Sequence, residues 1–407
     1  MKIRLSKNRL SVVEMVGVCL LAAAYLIPRA ALGSTVLLGI LLAYSCYIAL
    51  LDWELRPLIL RIMLLTFLIG ILYAVWVDDF AVAPNVANRT LKRFFAKTYQ
   101  YYALYFPAIL FLRVNHAGSR IQKRILLILS IGLMVYLAAN TRMFLLDNPN
   151  ASREWGEFEN LSNQNIANYY HVIAYPILVA VAAACMVRLK PVYRMIVLIA
   201  IVMTIEFIIA SQYTLSLLIS IVGICYQIGV TIRTRVWRII YTMVILVLAA
   251  FIPEFLRLGI RLIPSEQMTI RLGEILAFLS GQGADGYNLN GRLTLYWKSI
   301  VAFLTSPIWG NHKLDFDGHA TFLTILADTG ILGGIPFYYL LSSVVKQLRV
   351  TLGEHGKQIR TVILVVALTG LTNPIHASQP FGMAAWFIAP MLITAVFKER
   401  KNGNETL

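Results

Sequence analysis

Apolar runs dominate this chain, most of them close to the roughly 20 residues that a helix needs to cross a bilayer. They fall at 10–29, 32–51, 57–77, 94–113, 121–141, 167–187, 192–211, 213–231, 236–253, 319–345, 359–376 and 380–397. Such a chain has few options, because in hydrocarbon each backbone N–H and C=O must find a partner within the protein, and a lone segment does so only as a helix. Hydrophobic residues make up 59% of the sequence and charged ones 14%, with a mean hydropathy of +0.72. That is more apolar surface than a soluble core of this length buries. The expected fold is an all-α polytopic membrane protein of about twelve transmembrane helices. Residues 1–253 would carry helices one to nine, 254–318 a long extracytoplasmic loop, and 319–407 helices ten to twelve with a cytoplasmic tail.

With both termini inside, the inner segments hold 23 Lys and Arg against 5 Asp and Glu, and the outer ones 13 against 12. This is the positive-inside bias, so the net charge of +16 is a topology signal and not a mark of nucleic-acid binding. The basic amino terminus could precede a cleaved signal, but with eleven further runs a retained first helix is expected. Cys19, Cys46, Cys185 and Cys225 lie within apolar runs without paired spacing, which argues against a disulfide framework or a zinc site.

Several charges run against the bias. Arg89, Arg93 and Lys97 recur at four-residue steps, which puts them on one face of a helix at the outer surface, where they suit a phosphate or pyrophosphate or meet lipid phosphates. Tyr99, Tyr101, Tyr102 and Tyr105 follow, in positions to line a sugar path or form an interfacial aromatic belt. The acidic loop after helix five contains Arg142, Asp147, Glu154, Glu157 and Glu159; a solvated loop accounts for it more simply than a carboxylate pair for glycoside chemistry. Glu206 lies below the tight turn Ser211-Gln212-Tyr213-Thr214, with an outer arginine as its expected partner. His171 reads as a packed polar residue.

In the interval 254–318, six basic residues balance six acidic ones. From Gly291 the pattern is amphipathic, with Leu293, Trp297, Ile300, Val301 and Leu304 on one face and Arg292, Tyr296 and Ser299 on another. A helix at the outer interface is expected, ended by Pro307 and Gly310. His319 then opens helix ten. An imidazole titrating near 6.5 accepts a proton at neutral pH and is the natural general base here. Asp328 lies nine residues on, about half a rotation away, and belongs to another face.

The order Arg292, Tyr296, Ser306-Pro307, Gly310, His319 and the run Gly330-Ile331-Leu332-Gly333-Gly334 resembles the O-antigen ligase and polysaccharide polymerase superfamily. The turn from Ala210 to Leu215 resembles that family's short turn, though Tyr213 stands where ligases commonly carry arginine and Ala320 follows His319 where Asn is usual. The resemblance implies a fold similar to GT-C glycosyltransferases, in the cytoplasmic membrane with its active site outside, working by inversion without a metal or other cofactor. Donor and acceptor would be oligosaccharides on undecaprenyl pyrophosphate, among membrane lipids, with flippase and chain-length regulator proteins as partners. His319 would activate the acceptor hydroxyl. Arg292 and the stripe Arg89, Arg93 and Lys97 would hold the pyrophosphate, and Arg142, Tyr213 and Tyr296 would complete the glycan site. Two alternatives stay open: a ligase delivering the glycan to a lipid A core or protein, and a lipid-linked oligosaccharide flippase.

Overall fold

The computed structural model describes residues 9–27, 34–76, 86–147, 166–186, 189, 191–232, 234–262, 266–281, 287–311 and 320–398. Among these residues there are helices and connecting turns but no strands. In order they are α1 (Val12–Leu26), α2 (Ser34–Leu51), α3 (Arg56–Trp76), α4 (Val86–Ala117), α5 (Arg120–Asp147), α6 (Tyr169–Met186), α7 (Pro191–Ala210) and α8 (Thr214–Thr231). There follow α9 (Arg235–Ala250), α10 (Ile252–Leu262), α11 (Glu266–Leu279), α12 (Tyr287–Thr305), α13 (Thr321–Leu352), α14 (Ile359–Thr372) and α15 (Gln379–Phe397).

Seven described helices are long and apolar enough to cross a membrane, or eight if α9 and α10, bent by 58°, form one broken span. The other apolar runs give shorter helices, Val12–Leu26, Thr35–Leu51 and Ile359–Thr372. The run at 94–113 belongs to the 32-residue α4, whose first turns carry Arg89, Lys92, Arg93 and Lys97.

α4 runs through the middle of the molecule, packed on α2, α3, α13 and α15. Tyr101, Tyr102, Tyr105, Phe106 and Phe111 are all fully buried. These tyrosines are therefore interior groups and not an interfacial belt, because α4 presents no broad face to the surroundings at this level. The hydroxyls of Tyr101, Tyr102 and Tyr105 each find a partner, as a group out of water should. Tyr102 Oη donates to Ser45 Oγ (2.5 Å) and Tyr105 Oη to the Phe337 carbonyl (3.2 Å). α9, by contrast, buries none of its residues and lies at the periphery.

At the opposite end of α4 from its basic turns, Arg113 donates from Nε and Nη2 to the two oxygens of Glu14 (2.8 and 3.0 Å), both side chains buried. His116 Nδ1 meets Asp52 Oδ2 nearby, at 3.1 Å. Although burial opposes it, the His116 bond and charge, together with the Leu55 and Glu54 amides, hold the Asp52 carboxyl below its usual range. Arg61, which could have reached for the interface, instead bonds Ser343 Oγ at 3.3 Å and lies over the Tyr339 ring.

The segment that carries the candidate chemistry is built from α12, the turn after it, and α13. α12 shows the expected two faces: Leu293, Trp297, Ile300, Val301 and Leu304 point outwards, whereas Ser299 is buried and Arg292 and Tyr296 are half-buried. The turn then runs backbone-to-backbone against α13. Gly310 (φ +77°) and Gly330 (φ +59°) face each other, and a Cβ on either would stand 2.4–2.6 Å from main-chain atoms of the other segment. Only glycine allows both that approach and that backbone sign.

Gly330 has φ 59° and ψ −152°, so α13 is two helical pieces and not the continuous tenth helix expected from the sequence. The break would orphan main-chain groups, and the turn takes them up. Ile331 N donates to Pro307 O (2.8 Å), Leu332 N to Ile308 O (3.3 Å) and Asn311 N to Ala327 O (2.6 Å).

Candidate functional site

The first piece of α13 ends at this break, and its last turn carries Asp328, buried at 5% exposure. Tyr73, near the end of α3, donates its hydroxyl to Asp328 Oδ2 at 3.1 Å and lies 3.2 Å from the Tyr101 hydroxyl. Lys97 sits over the Tyr73 ring, its Nζ 4.8 Å from the centroid. Asp328 and Arg93 are electrostatic neighbours of this lysine. A buried acid and a half-buried base thus share one tyrosine, the acid on its hydroxyl and the base on its electron-rich face.

From Tyr101 the contacts continue to the turn between α14 and α15. The Tyr101 ring stacks on His376 with centroids 5.2 Å apart and planes 13° from parallel. His376 Nδ1 lies 2.9 Å from Thr321 Oγ1, which also reaches the Asn373 carbonyl at 3.1 Å. Burial, reinforced by the charge of Lys97, pushes His376 down to about 3, so its imidazole is neutral at pH 7.

The Asn373 side chain continues the run, its Oδ1 accepting from Tyr169 Oη at 2.6 Å and its Nδ2 donating to Thr372 Oγ1 at 3.0 Å. Arg292 reaches the Thr372 carbonyl, 3.5 Å from Nη1, across the carbonyl end of α14, where the helix dipole favours a cation. Around Tyr169 stand Arg292, Tyr213, Tyr170 and Tyr296 as electrostatic neighbours, and the Tyr213 ring lies 5.3 Å from that of Tyr169.

Tyr213 is held there by the tight turn between α7 and α8. Its predecessor Gln212 adopts φ +59°, a left-handed conformation that costs a residue with a Cβ about 1–2 kcal/mol. Ser211 secures the turn by donating Oγ to the Phe207 carbonyl at 2.8 Å.

Several residues singled out by sequence therefore converge. Arg292, Tyr213 and Tyr296 surround Tyr169, while Lys97, with Arg93 beside it, lies at the other end of the same run of contacts. His319 lies outside the described residues, as does the side chain of Arg89. The chain is described again from Ala320, and Thr321 N donates to the Asn373 carbonyl at 3.3 Å, one residue from the carbonyl that Arg292 approaches. Arg142 stands apart from this group and is ion-paired with Glu206. His171 donates Nε2–H to the Leu26 carbonyl (2.8 Å) and accepts at Nδ1 from the Asn168 backbone N–H (3.3 Å), a structural role. No family model matches the chain, and no curated protein is significantly similar to it.

Sequence reasoning passed over His376, Asn373, Tyr169 and Tyr73. A signal for the first two existed: Asn373-Pro374-Ile375-His376-Ala377-Ser378-Gln379-Pro380 is a polar, twice proline-broken stretch between two apolar runs. Tyr73 and Tyr169 had none, since a tyrosine near a helix end is ordinary in a membrane protein.

Among the described residues, no group of three or more His, Cys, Asp or Glu side chains stands ready for a metal ion. The assembled groups are a guanidinium, an ammonium, a carboxylate, a neutral imidazole and several phenols. Such a set has the chemistry to hold an anion at one point and to orient hydroxyl groups along its length.

Proposed function

We propose that the protein is a polysaccharide polymerase of the cytoplasmic membrane, joining glycan repeat units carried on undecaprenyl pyrophosphate at the membrane's outer face. Seven helices are long and apolar enough to cross, or eight with the bent α9–α10 pair; counting the three shorter apolar helices and α4 as crossings too gives the twelve of this reading. Twelve crossings leave both termini on the basic side. The run of contacts from Arg292 to Asp328 then falls at the outer end of the bundle, in a GT-C-like arrangement.

The observation that carries the proposal is the convergence of α12 and the start of α13 on Thr372 and Asn373: Arg292 approaches one carbonyl and Thr321 bonds the next. A guanidinium is thereby brought to the segment that follows His319. In the reaction, the acceptor hydroxyl attacks the anomeric carbon of the donor, inverting it as the bond to pyrophosphate breaks. His319 takes the hydroxyl proton, and Arg292 stabilises charge on the departing pyrophosphate. Tyr169, Tyr213 and Tyr296 offer ring faces and hydroxyls to the sugars.

One observation favours transport of the same lipid-linked glycan as a second reading. A helix broken within the membrane beside a buried acid and a half-buried base, as at Gly330, Asp328 and Lys97, is a common feature of transporters.

Incubating the purified protein with a lipid-linked repeat unit separates these outcomes. A ladder of products marks a polymerase, a single shifted band on another acceptor marks a ligase, and movement across a liposome without new bonds marks a flippase. Arg292→Ala is expected to cut elongation by roughly a hundredfold, the usual effect of losing one charge-stabilising group. His319→Ala should abolish elongation while the lipid-linked unit still binds. Normal elongation by either variant would remove the transferase assignment.

A further inference from the structure

Away from the polar run, α5, α6, α7 and α15 line an open groove. Its walls include Ile131, Met134, Leu178, Ile201 and Leu392, with Tyr175 at its floor. The hydroxyls along it are turned to their own backbone: Tyr175 Oη donates to the Met134 carbonyl and Thr204 Oγ1 to that of Ala200, both at 2.7 Å. The groove therefore offers no polar partner and suits a hydrocarbon chain laid along it.

Beyond the groove on the two helices that flank it stand Arg142 of α5 and Glu206 of α7, bonded to each other. Arg142 follows Val135, a wall residue, by seven positions, which is nearly the same face of α5 and about 10 Å further along. Both lie four or five residues before the ends of their helices. Their side chains are 31% and 50% exposed, so both charges are reachable from the bilayer. An ion pair this exposed holds its partners weakly.

We propose that this groove and ion pair form a binding site for one phospholipid with a primary-amine head group, of the phosphatidylethanolamine class, whatever reaction the polar run performs. One acyl chain occupies the groove. The phosphodiester accepts hydrogen bonds from Arg142, and the ammonium donates to Glu206, so each charge exchanges its neighbour for a complementary partner on the lipid. The carboxylate argues against a pyrophosphate here, because Glu206 would repel the second negative charge that Arg142 alone cannot offset. A quaternary ammonium has no N–H to donate, and a glycerol head group has no positive charge.

Native mass spectrometry of the purified protein, titrated with phosphatidylethanolamine, phosphatidylcholine, phosphatidylglycerol and polyprenyl pyrophosphate, tests the site. The protein should retain one phosphatidylethanolamine about tenfold more strongly than the other three, the value of one charge-assisted hydrogen bond. Arg142→Gln and Glu206→Gln should each erase that preference, and Ala182→Leu, which fills the groove, should lower retention of all four. Thermal unfolding of each variant checks that it is folded. Equal retention of all the lipids, stronger retention of polyprenyl pyrophosphate, or a preference that survives both glutamine variants in folded protein would overturn the proposal.

Discussion

Replacing Gly330 by alanine probes the junction on which the candidate site is built. The new methyl would stand 2.5 Å from the carbonyl carbon and oxygen of Ile308 and 2.6 Å from Gly310 N, at a φ of +59°. Left-handed backbone alone costs a residue with a Cβ about 1–2 kcal/mol. The clash is with main chain, so no side-chain rotation relieves it, and the turn at 307–311 must back away from α13. Two or three of the hydrogen bonds Asn311–Ala327, Ile331–Pro307 and Leu332–Ile308 would then go. At about 1 kcal/mol each, the total comes to roughly 3–5 kcal/mol. Thermal unfolding of the detergent-solubilised protein should show the midpoint falling by roughly 5–10 °C, at about 2 °C for each kcal/mol in a chain of this size. Asp328 lies two residues from the break, so its bond to Tyr73 should loosen and any activity should fall together with stability. Gly132→Ala is the control, since nothing lies within 4 Å of its added methyl; in mid-helix it should be neutral or stabilising by up to about 1 kcal/mol. A Gly330→Ala protein that melts within about a degree of the parent, judged against this scale, would refute the account of the junction.

Tyr73→Phe removes the hydroxyl that Asp328 accepts from, leaving a buried carboxylate short of a donor; a loss of about 1–3 kcal/mol is expected, and an unchanged unfolding midpoint would contradict it. Arg113→Leu strands buried Glu14 and should cost about 3–5 kcal/mol, most of it recovered in the Glu14→Leu, Arg113→Leu double variant; no recovery would mean the two act separately. For His376, the folded value of about 3 lies below the roughly 6.5 of an unfolded histidine. The unfolded chain therefore binds the extra proton between these values, so the contribution to stability is full above about 6.5 and declines as pH falls towards 3. His376→Gln should show a shallower loss of stability between pH 6.5 and 4, and parallel curves for the two proteins would exclude a buried neutral imidazole.

The amino-acid order alone determined that this chain is a helical membrane protein, because apolar runs of that length in so uncharged a chain have no other way to satisfy their backbone. It also determined the two faces of α12, since a period of 3.6 residues separates Arg292 and Ser299 from Leu293 and Trp297 whatever α12 packs against. The glycines at 310 and 330 were visible as punctuation, but their purpose was not: two segments pressed together leave no periodic trace.

Tertiary structure decided which polar groups meet. Tyr73 and Asp328 are 255 positions apart and Tyr169 and Asn373 are 204 apart, so nothing local in the sequence couples them. Burial likewise turned the tyrosines of α4 from surface anchors into interior groups, and paired Arg142 with Glu206 away from the cations it resembles in sequence. Hydropathy reports what each segment does towards lipid, whereas the contacts of polar side chains inside a bundle depend on how the helices are arranged around one another, which only the folded chain defines.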